Sequence, residues 1–130
     1  MGEWVGERAT EWMGASRRYR KLPGINSDKA FVRAHLERAA INTPIQGGAA
    51  DVMTLAMLKL RRSEKLKQLG YRMLLQIHDE VIMEGPEEHA AAAKEEVVAC
   101  MRRPFDDSLP SLDVDLVVDA KTANNWFEAK

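Results

Sequence analysis

The chain is poor in the residues that mark several classes of protein. Its 130 residues include a single cysteine, Cys100, which excludes an internal disulfide and a cysteine-rich zinc site. It has no apolar run long enough to cross a bilayer, and Met1–Trp4 do not follow a signal-peptide pattern. We therefore expect no membrane partner and a reducing, intracellular compartment.

An excess of one charge sign is also missing. The sequence has 19 lysines and arginines against 20 acidic residues, for a net charge of -1. Any surface that binds nucleic acid must then be a local patch. Apolar residues make up 45% and charged residues 30%, as in ordinary globular proteins, and the length suits one domain with a core.

The most informative stretch is residues 75–84, Leu-Gln-Ile-His-Asp-Glu-Val-Ile-Met-Glu. Its apolar residues predict two short strands that meet at the polar tip 78–80. We expect one face of the first strand to hold Leu74, Gln76 and His78, and the other to hold Met73, Leu75 and Ile77.

The tip places two carboxylates and an imidazole side by side. Neighbouring carboxylates such as Asp79 and Glu80 repel each other unless a cation lies between them. Mg²⁺ prefers carboxylate oxygens and keeps water or phosphate on its remaining positions. The tip therefore predicts a metal-assisted phosphoryl-transfer site, and the alternative is a solvated polar turn.

Two helices are predicted before this hairpin, at about 28–41 and 46–66. Pro44 lacks an N–H, so we expect it to kink or restart the helix. The small residues Gly47 and Gly48 allow either close approach of a ligand or helix–helix packing.

A polar row crosses this proline. Arg38, Asn42 and Gln46 are four residues apart and so line one face. The row is either a binding face or a hydrated surface. The basic cluster 17–21 suits phosphate contacts or, alternatively, a solvated loop.

After the hairpin, a helix is predicted from about Pro86 to Pro104, with Glu95 and Glu96 on its solvated side and Cys100 in its packing. Residues 112–118 alternate like a half-buried strand. A short helix or turn is expected within 121–130. The predicted fold class is α+β, a small antiparallel sheet of about three strands covered by helices.

Four stretches of this chain resemble motifs of the family A DNA polymerases, the group typified by bacterial DNA polymerase I. They are residues 22–27, Leu-Pro-Gly-Ile-Asn-Ser; residues 37–51, Glu-Arg-Ala-Ala-Ile-Asn-Thr-Pro-Ile-Gln-Gly-Gly-Ala-Ala-Asp; residues 76–80, Gln-Ile-His-Asp-Glu; and Asn125-Trp126. The resemblance covers about 17–130 as a C-terminal palm segment that includes motif C, and 1–16 match poorly. Residues 41–48, within the second stretch, and residues 118–121 are most similar to the plant and protist organellar branch, which implies a mitochondrial or plastid location.

The resemblance assigns roles to individual residues. It implies that Asp79 holds catalytic Mg²⁺, with Glu80 in support, and that His78 contacts the primer terminus. It places Arg38, Asn42 and Gln46 at the minor groove of a primer–template, where acceptors occur in every base pair. Gly47 and Gly48 are expected to keep the duplex unobstructed, and the basic residues are expected at phosphates: Arg17, Arg18, Arg20 and Lys21.

The sequence also departs from the family pattern. We expect the motif A aspartate and the fingers helix that grips the incoming dNTP to be missing, and Ala15 stands where an arginine is usual. The 130 residues alone are thus expected not to extend a primer, and missing upstream polymerase segments would be needed.

Three alternatives remain open. A non-catalytic DNA-binding remnant would keep the polar row and have no use for Asp79. A phosphohydrolase with a His-Asp doublet would need the doublet on helices and further histidines, of which only His35 and His89 remain. A purely structural protein is the third alternative.

Overall fold

The computed structural model describes residues 20–105 and 114–129. The chain divides into two compact units, 1–51 and 52–130. The elements are, in order, α1 (Ala30–Arg62), α2 (Glu64–Gln68), β1 (Arg72–Ile77), β2 (Glu80–Glu84), a 3-10 turn (Glu87–His89), α3 (Ala90–Arg102) and α4 (Trp126–Ala129). The predicted α+β class with a small antiparallel sheet is confirmed. No described helix has the length and apolarity to span a membrane.

The prediction of two separate helices, at about 28–41 and 46–66, is wrong, because α1 continues through Pro44. A proline removes one backbone donor from a helix, and the remaining ladder holds the two sides together. Thr43, the residue just before Pro44, donates its hydroxyl to the Ala39 carbonyl at 2.6 Å. The helix ends at Arg62 because Ser63 leaves the helical conformation and its side chain accepts from the Leu66 N–H, which begins α2.

The core of the second unit lies between helices and one face of the sheet. Leu60 of α1, Leu66 of α2, and Ala93 and Cys100 of α3 form a buried cluster, against which partly buried side chains pack: Leu69, Tyr71, Val81, Met83, Val97 and Met101. Burial raises the pKa of the Cys100 thiol, and the nearby Glu96 carboxylate adds to that effect. Cys100 is therefore a packing residue, as predicted.

The register of the hairpin corrects the predicted faces of β1. Met73 pairs with Met83, Leu75 with Ile82 and Gln76 with Val81, with an irregularity between Met73 and Leu75. Directly paired residues share a face, so Met73 lies with Gln76 and not with Leu75. The extra residue, Leu74, is a β-bulge, and a bulge cannot be read from alternation alone.

The predicted third strand is also wrong where the structure describes it. Residues 114–118 have no strand, and the described part of the chain contains a two-stranded sheet, β1–β2. Val114 and Val117 are 75% and 92% exposed. A β pattern becomes a strand only when a neighbouring strand accepts its hydrogen bonds, and no described segment pairs with this one.

Glu96 was predicted on the solvated side of α3, but its side chain is only 23% exposed. The Ser63 hydroxyl donates to its Oε1 at 2.8 Å, and Lys65 Nζ lies 3.5 Å from its Oε2. The Ser63 hydrogen bond is the main cause that lowers the pKa of Glu96, with smaller contributions from Cys100 and Lys65 opposed by burial. Glu96 thus ties the start of α2 to α3.

A close contact follows the hairpin. A Cβ on Gly85 would lie 2.3 Å from a ring carbon of Tyr71, so only glycine fits there. The Tyr71 hydroxyl donates to the Pro86 carbonyl at 3.1 Å, which keeps the ring in place. Gly47 in α1 differs, since a Cβ there would meet nothing within 4 Å.

These two glycines give a matched stability test in the 130-residue chain. We expect Gly85→Ala to lower the free energy of unfolding by about 1–3 kcal/mol, because the methyl group overlaps the Tyr71 ring. Gly47→Ala should raise it by about 0.5–1 kcal/mol, because alanine is the better helix former. Urea unfolding followed by circular dichroism measures both, and equal effects would contradict the Tyr71 contact.

The lowered pKa of Glu96 predicts how stability depends on pH. The charged carboxylate stabilises the fold fully above the unfolded glutamate pKa of about 4.3, and this contribution is lost as the pH falls through the lower folded pKa. Glu96→Gln should therefore be about 1 kcal/mol less stable than wild type at pH 7 and close to wild type in acid. Glu95→Gln, the same change at an exposed neighbour, should keep the wild-type pH profile in urea titrations.

Candidate functional site

The hairpin loop consists of two residues, His78 and Asp79, because Ile77 and Glu80 pair directly across the sheet. The predicted tip of three residues is therefore one residue too long, and Glu80 begins β2. His78 has φ +54°, the left-handed conformation that tight hairpin loops require and that non-glycine residues adopt at some cost.

Gln76 stabilises this loop, which the sequence did not indicate. Its side-chain amide donates to the His78 carbonyl. The available signal was that Gln76 stands two residues before His78, on the same side of a strand. The loop conformation is thus supported by a side chain as well as by the strand pairing.

The chemistry of the loop is that of adjacent, exposed oxygen donors. The side chains of His78, Asp79 and Glu80 are all exposed. Carboxylate oxygens suit Mg²⁺ in type. Within the described residues, however, no group of three or more histidine, cysteine or acidic side chains is placed to hold a metal ion. Asp79 and Glu80 are carboxylates of the kind that bind Mg²⁺, and no third such group lies with them among the described residues.

In the first unit, the structure brings the polar row together. Arg38, Asn42 and Gln46 lie on one continuous helix and are exposed. At 1.5 Å per residue, the row is about 12 Å long. Within the described part of the chain these three side chains have no hydrogen-bond or ion-pair partner, so their donors face solvent.

The residues around the row support an accessible face. A Cβ at Gly47 would meet no described residue within 4 Å, so the described part of the chain leaves open space there. Arg20 Nη1 donates to Thr43 Oγ1 at 3.2 Å, and Lys21 is exposed. Arg17 and Arg18, predicted as phosphate contacts, lie outside the described residues.

The position of His78 and Asp79 weighs against the phosphohydrolase alternative. That class needs the His-Asp pair on helices, whereas His78 and Asp79 form a hairpin loop. Of the other histidines, His35 lies on α1, and His89 lies in the 3-10 turn with Nε2 3.6 Å from Glu88 Oε1. Neither stands beside the loop in sequence.

Comparison with known proteins gives a consistent result. The sequence model of DNA polymerase family A matches residues 7–128. The chain is 54% identical over 118 residues to DNA polymerase I A, chloroplastic/mitochondrial, of Arabidopsis thaliana, covering 91% of this chain and 11% of that protein. It is 40% identical over 115 residues to DNA polymerase I of Lactococcus lactis, covering 88% of this chain and 12% of that protein.

A solved structure agrees with both. The POL domain of Pol1 from M. smegmatis, in complex with DNA primer-template and dNTP, superposes with a TM-score of 0.67 at 34% identity. The superposition covers 89% of this chain and 20% of that one. The chain therefore spans a small part of the proteins it matches, and over that part it belongs to DNA polymerase family A.

Proposed function

We propose that this chain is a palm segment, residues 17–130, of a DNA-directed DNA polymerase that adds dNTPs to a primer 3′-end. The observation that carries the proposal is the match to family A, which extends across both the hairpin loop and the polar row. The solved relative binds primer-template DNA and dNTP, which supports the same partners here.

In this proposal Asp79 holds Mg²⁺ and Glu80 has a supporting role. The chemistry such ions supply is activation of the primer 3′-hydroxyl and neutralisation of charge on the leaving pyrophosphate. The two-residue loop places Asp79 at the end of the sheet, and the exposure of its side chain leaves it open to substrate. The remaining ligands must come from other polymerase segments.

His78 is proposed to contact the primer terminus. Its left-handed backbone is supported by the Gln76 hydrogen bond and by the flanking pair Ile77–Glu80. Residues kept in a costly conformation cluster at functional sites, which favours a role for this exposed imidazole.

The polar row is proposed to follow the minor groove of the primer–template. Purine N3 and pyrimidine O2 accept hydrogen bonds in all four base pairs, so donors there can test pair shape without reading sequence. A row of about 12 Å corresponds to three or four base pairs at about 3.4 Å each. Arg38, Asn42 and Gln46 all supply N–H donors.

The relatives support two further parts of this proposal, the location and the missing segments. The Arabidopsis relative is named as chloroplastic/mitochondrial, which supports an organellar location for this chain. Because the chain spans 11–12% of these relatives, we propose that a motif A aspartate and a fingers helix are supplied by further polymerase segments. The purified 130 residues should then give no templated incorporation with Mg²⁺ and dNTPs.

A chimera tests the catalytic role. In the L. lactis polymerase, residues 17–130 of this chain would replace the matching segment, and primer extension would be measured. We expect activity, and we expect Asp79→Asn to reduce it by about a hundredfold or more, because metal binding contributes several kcal/mol to such reactions. Asp115→Asn, the same change at an exposed aspartate outside the doublet, should leave extension unchanged.

The same chimera separates the polymerase from the DNA-binding remnant. Full extension by Asp79→Asn would refute the catalytic assignment. A folded chimera that binds primer–template but extends nothing, with Asp79→Ala leaving affinity unchanged or higher, would favour the remnant.

The binding of primer–template by variants of the polar row tests the minor-groove assignment. We expect Arg38→Gln in the chimera to weaken primer–template binding about tenfold, because a charged donor to the duplex is lost. Arg62→Gln, at an exposed arginine at the end of the same helix, should have little effect. Fluorescence anisotropy at fixed salt measures both.

Two analogues of adenine supply the decisive comparison. Replacing adenines by 3-deazaadenine removes the minor-groove N3, whereas 7-deazaadenine removes only the major-groove N7. The wild-type chimera should lose affinity for the first and not the second, and one or more of the row variants (Arg38→Gln, Asn42→Ala, Gln46→Ala) should abolish that difference. If every variant keeps the full difference, the assignment fails.

A further inference from the structure

A pocket of about 360 Å³ opens at the base of the hairpin. Leu60, Leu66, Met73 and Met83 contribute its apolar lining. Both leucines belong to the core, and the two methionines are directly paired across the sheet. Met73 is about 15 Å along the strand from the loop at His78, so this pocket is separate from the proposed catalytic residues Asp79 and Glu80.

Three cations stand at the same pocket, namely Arg61, Lys67 and Arg72. All three are exposed, and two take part in exposed ion pairs: Lys67 Nζ with Glu64 Oε1 at 2.6 Å and Arg72 Nη2 with Glu84 Oε2 at 2.8 Å. Arg61 has no hydrogen-bond or ion-pair partner among the described residues. An exposed ion pair contributes about 0–1 kcal/mol to the free energy of unfolding. These cations can therefore exchange their present partners for another anion at little cost in stability.

We propose that this pocket binds a short acidic peptide segment of a partner protein, with an apolar side chain seated against Met73 and Met83 and its flanking carboxylates on the three cations. The volume lies at the small end of ligand pockets, about 300–1,000 Å³, and so suits one or two side chains. Methionine side chains are unbranched and adjust to the shape of an inserted group. An apolar centre surrounded by a polar, solvent-accessible rim is the usual arrangement of a protein-binding site, and arginine is enriched in such sites.

The apolar lining decides between a peptide and nucleic acid. Phosphates would pair with the cations but would leave the partly exposed Met73 and Met83 side chains without an apolar partner. A peptide with both carboxylates and an apolar side chain complements both parts of the pocket. This proposal goes beyond the polymerase function and does not depend on it.

Fluorescence anisotropy with the 130-residue chain tests the proposal. The probe is a fluorescein-labelled peptide, Asp-Asp-Phe-Leu-Asp-Asp, and its apolar-free counterpart is Asp-Asp-Ser-Ser-Asp-Asp. We expect a Kd of about 10 µM for the first peptide, and binding at least about tenfold weaker for the second. Arg61→Glu should weaken the first about tenfold, and circular dichroism would show that this exposed substitution leaves the fold intact.

The control is Arg102→Glu, which makes the same charge change at an exposed arginine that does not line the pocket. It should change the Kd less than twofold. Equal losses in the two variants, equal binding of both peptides, or no binding at 1 mM peptide would each overturn the proposal. Displacement of the peptide by a DNA oligonucleotide in both the wild type and Arg102→Glu, at concentrations below the peptide Kd, would also overturn it and assign the pocket to phosphate.

Discussion

The direct pairing of Ile77 with Glu80 is the constraint on which the candidate site depends. It leaves two residues to reverse the chain and requires the left-handed backbone at His78. Because the loop has no further residues, the strand pairing places Asp79 at the end of the sheet. The hydrogen bond from the Gln76 side chain to the His78 carbonyl adds a second contact that supports this loop conformation.

The core of the second unit supports the hairpin that carries Asp79. One face of the hairpin packs through Val81 and Met83 on a core made by the end of α1, α2 and α3. Ser63 is central to this arrangement, since the same hydroxyl caps α2 and donates to Glu96 on α3. The two strands could not be stable alone, because an isolated hairpin is marginal in water. The site is therefore an extension of the helical core.

The sequence predicted the parts of this fold that depend on local patterns and failed where distant contacts decide. The hairpin, the helix after Pro86 and the packing of Cys100 follow from periodicity, proline position and residue type. The burial of Glu96 depends on Ser63 and Lys65, which lie about thirty residues earlier in the chain, so no short window of sequence contains its cause. In the candidate site, residue type and spacing predict the carboxylates Asp79 and Glu80 and the polar row. The left-handed backbone of His78 and the role of Gln76 could be found only once the pairing of β1 with β2 was known.

The bulge at Leu74 has a consequence for how this hairpin can change during evolution. Met73 and Gln76 share a face only because one residue between them is left out of the pairing. If β1 gained or lost one residue, all its side chains between that position and one end of the strand would move to the opposite face of the sheet. Core-facing and solvent-facing side chains would then exchange places. Point substitutions leave the register intact, so we expect lineages of this segment to diverge by replacement of side chains while the number of residues between Tyr71 and the loop stays constant.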